Sequence, residues 1–382
     1  MLDVMSEISI PDKDLFNEAR LKRLMEEDSL SALVGLSPAS VTYLSGYHNL
    51  DMLLLREILH AVVWPLEGEP TLLTYDHRNP SHTFVSDVRS YPSASERNTG
   101  LGPLVEILRE KGLNGQRVGI EKQTLSAHSW EVLQREFPDV HWTDGTDVIE
   151  RARHIKTPKE VEVLRAATRA TDKAIFLAYT NARPTDTEKS VGDAMSHNVM
   201  RLGADIVFFN ILASGPRSPK GHFLGAEVPL ERGTIMRCDF GALFGGYFTD
   251  LARMAVVGGP SDRQRDTYAK TYEVQQRSLA AVRPGVTGEE LFNTSLQGYA
   301  DLGLGTRPMV GHSIGLAVHE RPILATGERW EVEEGMVMCI ENGSVDEEYD
   351  ERYHIEDTIV VTKNGYEMLS DYTSTAEMTV IG

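Results

Sequence analysis

Asp239 and Asp250 flank a glycine-containing stretch, 241–246, with an apolar run leading in and another, 254–257, leading out. That pattern predicts a β-hairpin, and a hairpin puts both carboxylates on one face. With the tight turn at Phe244-Gly245 the aspartates stand directly opposite; with the turn at Gly245-Gly246 they are diagonal. Glu341 and Glu356 form a second pair: Glu341 closes the apolar run 336–340, and Glu356 opens onto Thr358-Ile359-Val360-Val361. Carboxylates forced together repel unless a cation or a shared proton intervenes, and buried ones need partners. His312, in Gly311-His312-Ser313-Ile314-Gly315-Leu316, falls between the pairs. Four carboxylates and an imidazole are hard and borderline ligands, suited to two divalent ions of the Mn, Co or Zn type. Such ions can hold a hydroxide and polarise a carbonyl, which is hydrolytic chemistry.

These side chains need a scaffold with two similar halves, and the sequence repeats itself accordingly. Arg183-Pro184 is echoed by Arg283-Pro284, Thr187 by Thr287, and Leu202-Gly203 by Leu302-Gly303. Gly233 and Asp239 are spaced as Gly335 and Glu341 are. Each copy reads as helix, proline break, helix, glycine stop and strands, so a duplicated unit with a pseudo-twofold, sheet-lined cavity is expected. Ahead of the first copy, Thr157-Pro158-Lys159-Glu160 predicts a helix start with Thr as cap, Pro at the first position and Glu reaching back. The helix should run to about residue 179. The acidic link 346–351 reads as a solvated turn.

Residues 1–152 read as a separate α/β domain, and 153–382 as the site-bearing one. The first has a predicted helix at 14–27 and strands at 31–36, 61–64, 71–74 and 117–120. Further helices are predicted at 103–111 and 126–137. It shows no phosphate-loop glycine pattern.

The 382 residues are 41% hydrophobic and 25% charged, ordinary for a globular chain and unlike a disordered or fibrous one. Asp and Glu number 57 against 38 Lys and Arg, a net charge of −19. That charge offers no footprint for nucleic acid or an anionic membrane. With two cysteines and neither a leader-like start nor a membrane-length apolar run, a soluble protein of the reducing cytoplasm is expected. Cys238 should point away from Asp239 into packing. Cys339 shares the parity of Glu341 and reads as a small buried side chain bordering the site.

The set Asp239, Asp250, His312, Glu341 and Glu356, with the stretch Gly311-His312-Ser313-Ile314-Gly315-Leu316-Ala317-Val318-His319-Glu320-Arg321-Pro322 and the strand Glu356-Asp357-Thr358, resembles the M24 metallopeptidases of the creatinase/methionine-aminopeptidase superfamily. Within it the layout is similar to that of the Xaa-Pro peptidases, aminopeptidase P and prolidase. The resemblance implies an α+β chain: a C-terminal pita-bread fold preceded by a creatinase-type α/β domain. It implies two divalent metal ions, with Asp250 and Glu356 bridging both, Asp239 completing one site, and His312 and Glu341 the other. A bridging hydroxide would attack the scissile carbonyl with Glu341 as proton acceptor, and His222 and His319 would contact substrate and steady the oxyanion. The implied substrate is a small peptide or small amide, cut before proline. A homodimer is implied too, with Tyr47-His48-Asn49, Arg56 and His60 as candidates to reach the partner's site.

The chain departs from the family pattern at three points. His354 stands where an arginine usually helps position substrate, with Arg352 on the same strand face as its possible replacement. Arg217 stands where Asn is common, and Ser313 where Gly is common. An alternative reading is a superfamily enzyme acting on a small polar metabolite of creatine, ectoine or dimethylsulfoniopropionate type. A catalytically dead binding module would be expected to lose ligands, and none of the five is missing.

Overall fold

The computed structural model describes residues 12–55, 58–75, 82–91, 100–305 and 307–382. They form two compact units, 12–159 and Glu160–Gly382.

The first unit is built on a six-stranded mixed sheet of β1 (Ala32–Gly35), β2 (Ala61–Pro65), β3 (Thr71–Thr74), β4 (Asp87–Ser90), β5 (Arg117–Ile120) and β6 (His141–Asp144), in the order β4-β3-β2-β1-β5-β6. β1 runs antiparallel to β2 and parallel to β5. Strands β1, β2 and β3 are buried throughout, which is why they show as short continuous apolar runs. Helices Leu101–Glu110 and Ala127–Glu136 pack Leu104, Leu108 and Leu133 into the core with Val34, Val63 and Val118.

The predicted helix at 14–27 is divided here. A 3-10 turn at Lys13–Leu15 precedes helix Glu18–Glu27, and Asn17 caps that helix by accepting from the Arg20 amide at 3.0 Å. An asparagine prefers this capping role to a helix interior. Tyr47 and His60 are buried inside their own unit, with ring centres 6.0 Å apart and His60 Nδ1 3.2 Å from Thr74 Oγ1. Asn49 caps helix Leu50–Leu54. Arg56 lies outside the described residues.

The second unit opens with helix Pro158–Asn181, followed by helix Glu188–Arg201. Then come β7 (Ile206–Ser214), β8 (Ile235–Phe244), β9 (Tyr247–Phe248) and β10 (Leu251–Val257). Helices Asp262–Ala281 and Gly288–Leu302 start the second copy, followed by β11 (Met309–Ser313), β12 (Glu320–Ala325), β13 (Val337–Asp346), β14 (Glu351–Thr362), β15 (Gly365–Met368) and β16 (Thr379–Ile381). One five-stranded sheet has the order β16-β10-β8-β7 with β9 on β8; the other runs β12-β11-β13-β14-β15.

The sequence echo is structural. Thr187 and Thr287 are both N-caps with reciprocal capping boxes, to Ser190 and Glu290. Both also form isolated bridges, to Pro229 and to Glu331. The first helix pair packs Ala167, Ile175, Val191 and Met195 against Met236, Cys238 and Phe240 of β8. Alternate β8 residues are therefore core-facing, and Asp239 must look the other way. Glu351, placed in a solvated link by the sequence, is instead buried: its carboxylate accepts from Arg263 at 2.7 Å and Gln264 at 2.7 Å. Among the described residues no helix is long and apolar enough to cross a membrane.

Candidate active site

The β8–β9 turn is Gly245-Gly246: Phe244 pairs with Tyr247 and Leu243 with Phe248. Both glycines have positive φ, 57° and 91°, which a two-residue hairpin turn requires. That register carries Ala252 opposite Asp239, so Asp250 is diagonal to Asp239, the second of the two arrangements the sequence allowed. Gly241 lies between them on β8. A Cβ there would meet Thr249 O at 2.5 Å and the Phe209 ring at 2.3 Å, so the hairpin closes only over glycine. In the other sheet Glu341 faces Glu356 directly across β13 and β14.

His312 comes from β11, paired with Cys339 of β13. Its Nδ1 donates to Ser313 O at 3.0 Å, which leaves Nε2 for the site, 3.6 Å from Asp250 Oδ2 and 3.8 Å from Glu356 Oε1. Burial brings His312 down to about 4, so the ring is neutral and able to donate a lone pair at neutral pH.

The carboxylates are held from behind by a polar frame. Arg253 Nη1 donates to Glu356 O at 2.5 Å, while its Nε meets Asp172 Oδ1 at 3.0 Å and its Nη1 meets Asp357 Oδ1 at 3.2 Å. Gln275 Nε2 donates to Ile340 O at 2.8 Å, beside Glu341. Asn342 links Gln275, Ser278 and Tyr299.

The electrostatics suit a cation. Burial, then the charge of neighbouring carboxylates, pushes Asp250 and Glu356 well above the usual carboxylate range. Asp250 Oδ1 and Glu356 Oε1 are buried with no hydrogen-bond partner among the described residues. Unpaired buried oxygens that repel one another are costly, and divalent ions would relieve both penalties. Among the described residues four overlapping groupings have ligand atoms within 4.8 Å of one another: Asp239 with Asp250 and Glu356, Asp250 with His312 and His319, His312 with Cys339 and Glu356, and Glu341 with His354 and Glu356. The residues therefore fit a divalent-metal centre.

Residues 162–363 match the model of metallopeptidase family M24, and residues 19–155 match the creatinase/prolidase N-terminal domain. The chain belongs to metallopeptidase family M24. It is 29% identical to a Xaa-Pro dipeptidase of Pyrococcus furiosus over 92% of this chain and 96% of that one. It is 31% identical to an uncharacterised peptidase of Bacillus subtilis over 91% of this chain and 95% of that one. The solved prolidase of Pyrococcus furiosus superposes with a TM-score of 0.78 at 28% identity, over 92% of this chain and all (100%) of that one. An X-Pro aminopeptidase of Thermotoga maritima shares the fold with a TM-score of 0.83 at 24% identity, over 96% and 100%. The architecture is thus the pita-bread α+β fold of this M24 group, with a creatinase-type first domain, and the chain is a metallopeptidase whose family implies divalent metal.

The remaining sequence-predicted residues fall unevenly. His319 is exposed, its ring centre 4.2 Å from that of His312. His222 is exposed on the segment before β8. His354 Nε2 lies 3.0 Å from Glu341 Oε2, and Arg352 is on the same face of β14. Arg217 forms an ion pair with the buried Glu188. Cys238 is core and Cys339 borders the site, its Sγ 3.7 Å from Asp250 O.

Sequence reasoning missed two site residues. Arg307 Nη2 donates to Glu341 Oε2 at 2.9 Å, arriving from a connection before β11 that no motif marks. Arg237 lies on the Asp239 face of β8, and strand parity alone could have found it.

Proposed function

We propose that this chain is a metal-dependent hydrolase that cleaves the amide bond before proline in small peptides. Asp239, Asp250, His312, Glu341 and Glu356 are the proposed ligands of two divalent ions of the Mn, Co or Zn type. Asp250 and Glu356 would be shared, Asp239 would serve one ion, and His312 with Glu341 the other. The observation that carries this reading is a pair of buried oxygens without a hydrogen-bond partner among the described residues, Asp250 Oδ1 and Glu356 Oε1, at the convergence of two sheets. The relatives named as Xaa-Pro dipeptidases support the substrate class over a creatine- or ectoine-like metabolite.

When bound, divalent ions lower the pKa of water and polarise a carbonyl oxygen. The protein's own groups do the rest. Glu341 receives the proton from the attacking water. Burial alone would raise its pKa, but Arg307 and then His354 outweigh burial and hold it below the ordinary carboxylate range, so it stays ionised. His222 and His319 donate hydrogen bonds where the tetrahedral oxyanion grows. Asp250 and Glu356 stay fixed because their strands are braced by the Arg253 frame.

A panel of Xaa-Pro dipeptides, longer Xaa-Pro peptides, creatine and ectoine, run with and without chelator, tests the proposal. Cleavage of proline peptides should disappear with chelator and return with Mn or Co. Metal-loaded protein that turns over no proline substrate would sink it. A homodimer belongs to the same proposal, and a monomeric sedimentation profile would remove it. The free, buried Cys238 and Cys339 suit the proposed cytoplasmic setting.

A further inference from the structure

Three guanidiniums stand beside the metal ligands, and the reaction as proposed uses none of them directly on substrate. Arg237 is 0% exposed, and among the described residues its Nε, Nη1 and Nη2 all lack a hydrogen-bond partner. It occupies the face of β8 that carries Asp239, opposite Met254 of β10. Arg307 gives one nitrogen to Glu341, while its buried Nη1 has no hydrogen-bond partner among the described residues. That Nη1 lies 3.4 Å from where a Cβ on Gly343 would stand, so the glycine makes room for the guanidinium. Arg352 shares its strand face with His354 and Glu356.

The three charges act on one another. Arg237 is lowered first by burial and also by Arg307; Arg352 is brought down to about 10 by burial, then by Arg237 and Arg307. Their nearest counter-charges are Asp239 and Glu341, both already committed as metal ligands. A buried guanidinium with no partner destabilises a free protein, and a ligand that brings the missing charge relieves it. The planar fork matches a carboxylate bidentately.

We propose that Arg237, Arg307 and Arg352 form a carboxylate-binding subsite beside the metal centre, seating a free C-terminal carboxylate or an acidic side chain of the substrate. This deepens the peptidase reading and rests on it.

The test pairs binding with kinetics on metal-loaded protein. Succinate should raise the melting temperature of wild type and compete with Ala-Pro, whereas succinamide should do neither. Arg237→Met should keep or raise the melting temperature of the free protein, because it replaces an unpaired charge with an apolar chain of similar length. It should also weaken succinate about 30-fold, the scale of lost charge-assisted hydrogen bonds. A role in holding the fold would lower that melting temperature instead. Arg352→Gln, at a half-buried position, should weaken succinate in the same direction. Ala-Pro against Ala-Pro amide reads the C-terminal source, and Glu-Pro amide against Gln-Pro amide reads the side-chain source. One pair at least should differ in KM in wild type and converge in the variants. Succinate affinity unchanged in both variants, or equal KM within both pairs, overturns the subsite. If no peptide is cut yet succinate binding still needs Arg237, the peptidase reading falls and the subsite stands.

Discussion

Asp250 links the two sheets of the centre, since it groups with Asp239 and Glu356 and again with His312 and His319. Asp250→Asn keeps the shape and removes the charge. Its activity should drop by more than the roughly 10–100-fold that outer-shell changes cost in metal sites. Metal content should fall while the melting curve of the chelated protein stays near wild type. Retained activity would show that the shared ligand is misassigned. At this scale the convergence of the five proposed ligands was legible because strand parity and apolar flanks are local properties of sequence. Arg307 was not legible, because which connection folds over Glu341 depends on tertiary path. His354 was legible as an oddity, but its bond to Glu341 depends on the β13–β14 register.

At the scale of elements, the hairpin and the two helix starts at Thr187 and Thr287 could be read, because turns and caps are decided by a few adjacent residues. β4 and β6 could not: they are the edges of their sheet, half-exposed, with polar residues that resemble loop. Nor could Arg253, whose partners Asp172 and Asp357 come from a helix and a strand far apart in sequence. Arg253→Met would leave both carboxylates buried without their cation, and should cost about 3–5 kcal/mol of stability in urea unfolding. Replacing Asp172 and Asp357 by Asn in the same chain should recover part of that loss. A single-variant cost within about 0.5 kcal/mol, the usual range for a surface change, would mean that the frame does not brace Glu356.

At the scale of the molecule, stability should depend on pH through His60. Burial holds its folded pKa at about 4, while an unfolded histidine titrates near 6.5. Above pH 6.5 neither state is protonated there, and His60 imposes no penalty. As pH falls from 6.5 toward 4 the unfolded chain takes up a proton that the folded one refuses. Stability should therefore decline by up to about 3 kcal/mol over that window. His60→Phe should flatten the slope between pH 6.5 and 4.5 in denaturant titrations; an unchanged slope would assign the dependence to other groups.

The proposed ligands are shared out between two folded halves, Asp239 and Asp250 in one and His312, Glu341 and Glu356 in the other. The groupings Asp239 with Asp250 and Glu356, and Asp250 with His312 and His319, each draw on both halves, so an ion held there would act as a rivet through the seam. A backbone nick in the connector at 258–261 should leave loaded protein eluting as a single species and melting in one transition. Stripping the metal should then lower that transition and let the fragments part, so a local chelation event would read out as loss of the whole catalytic body.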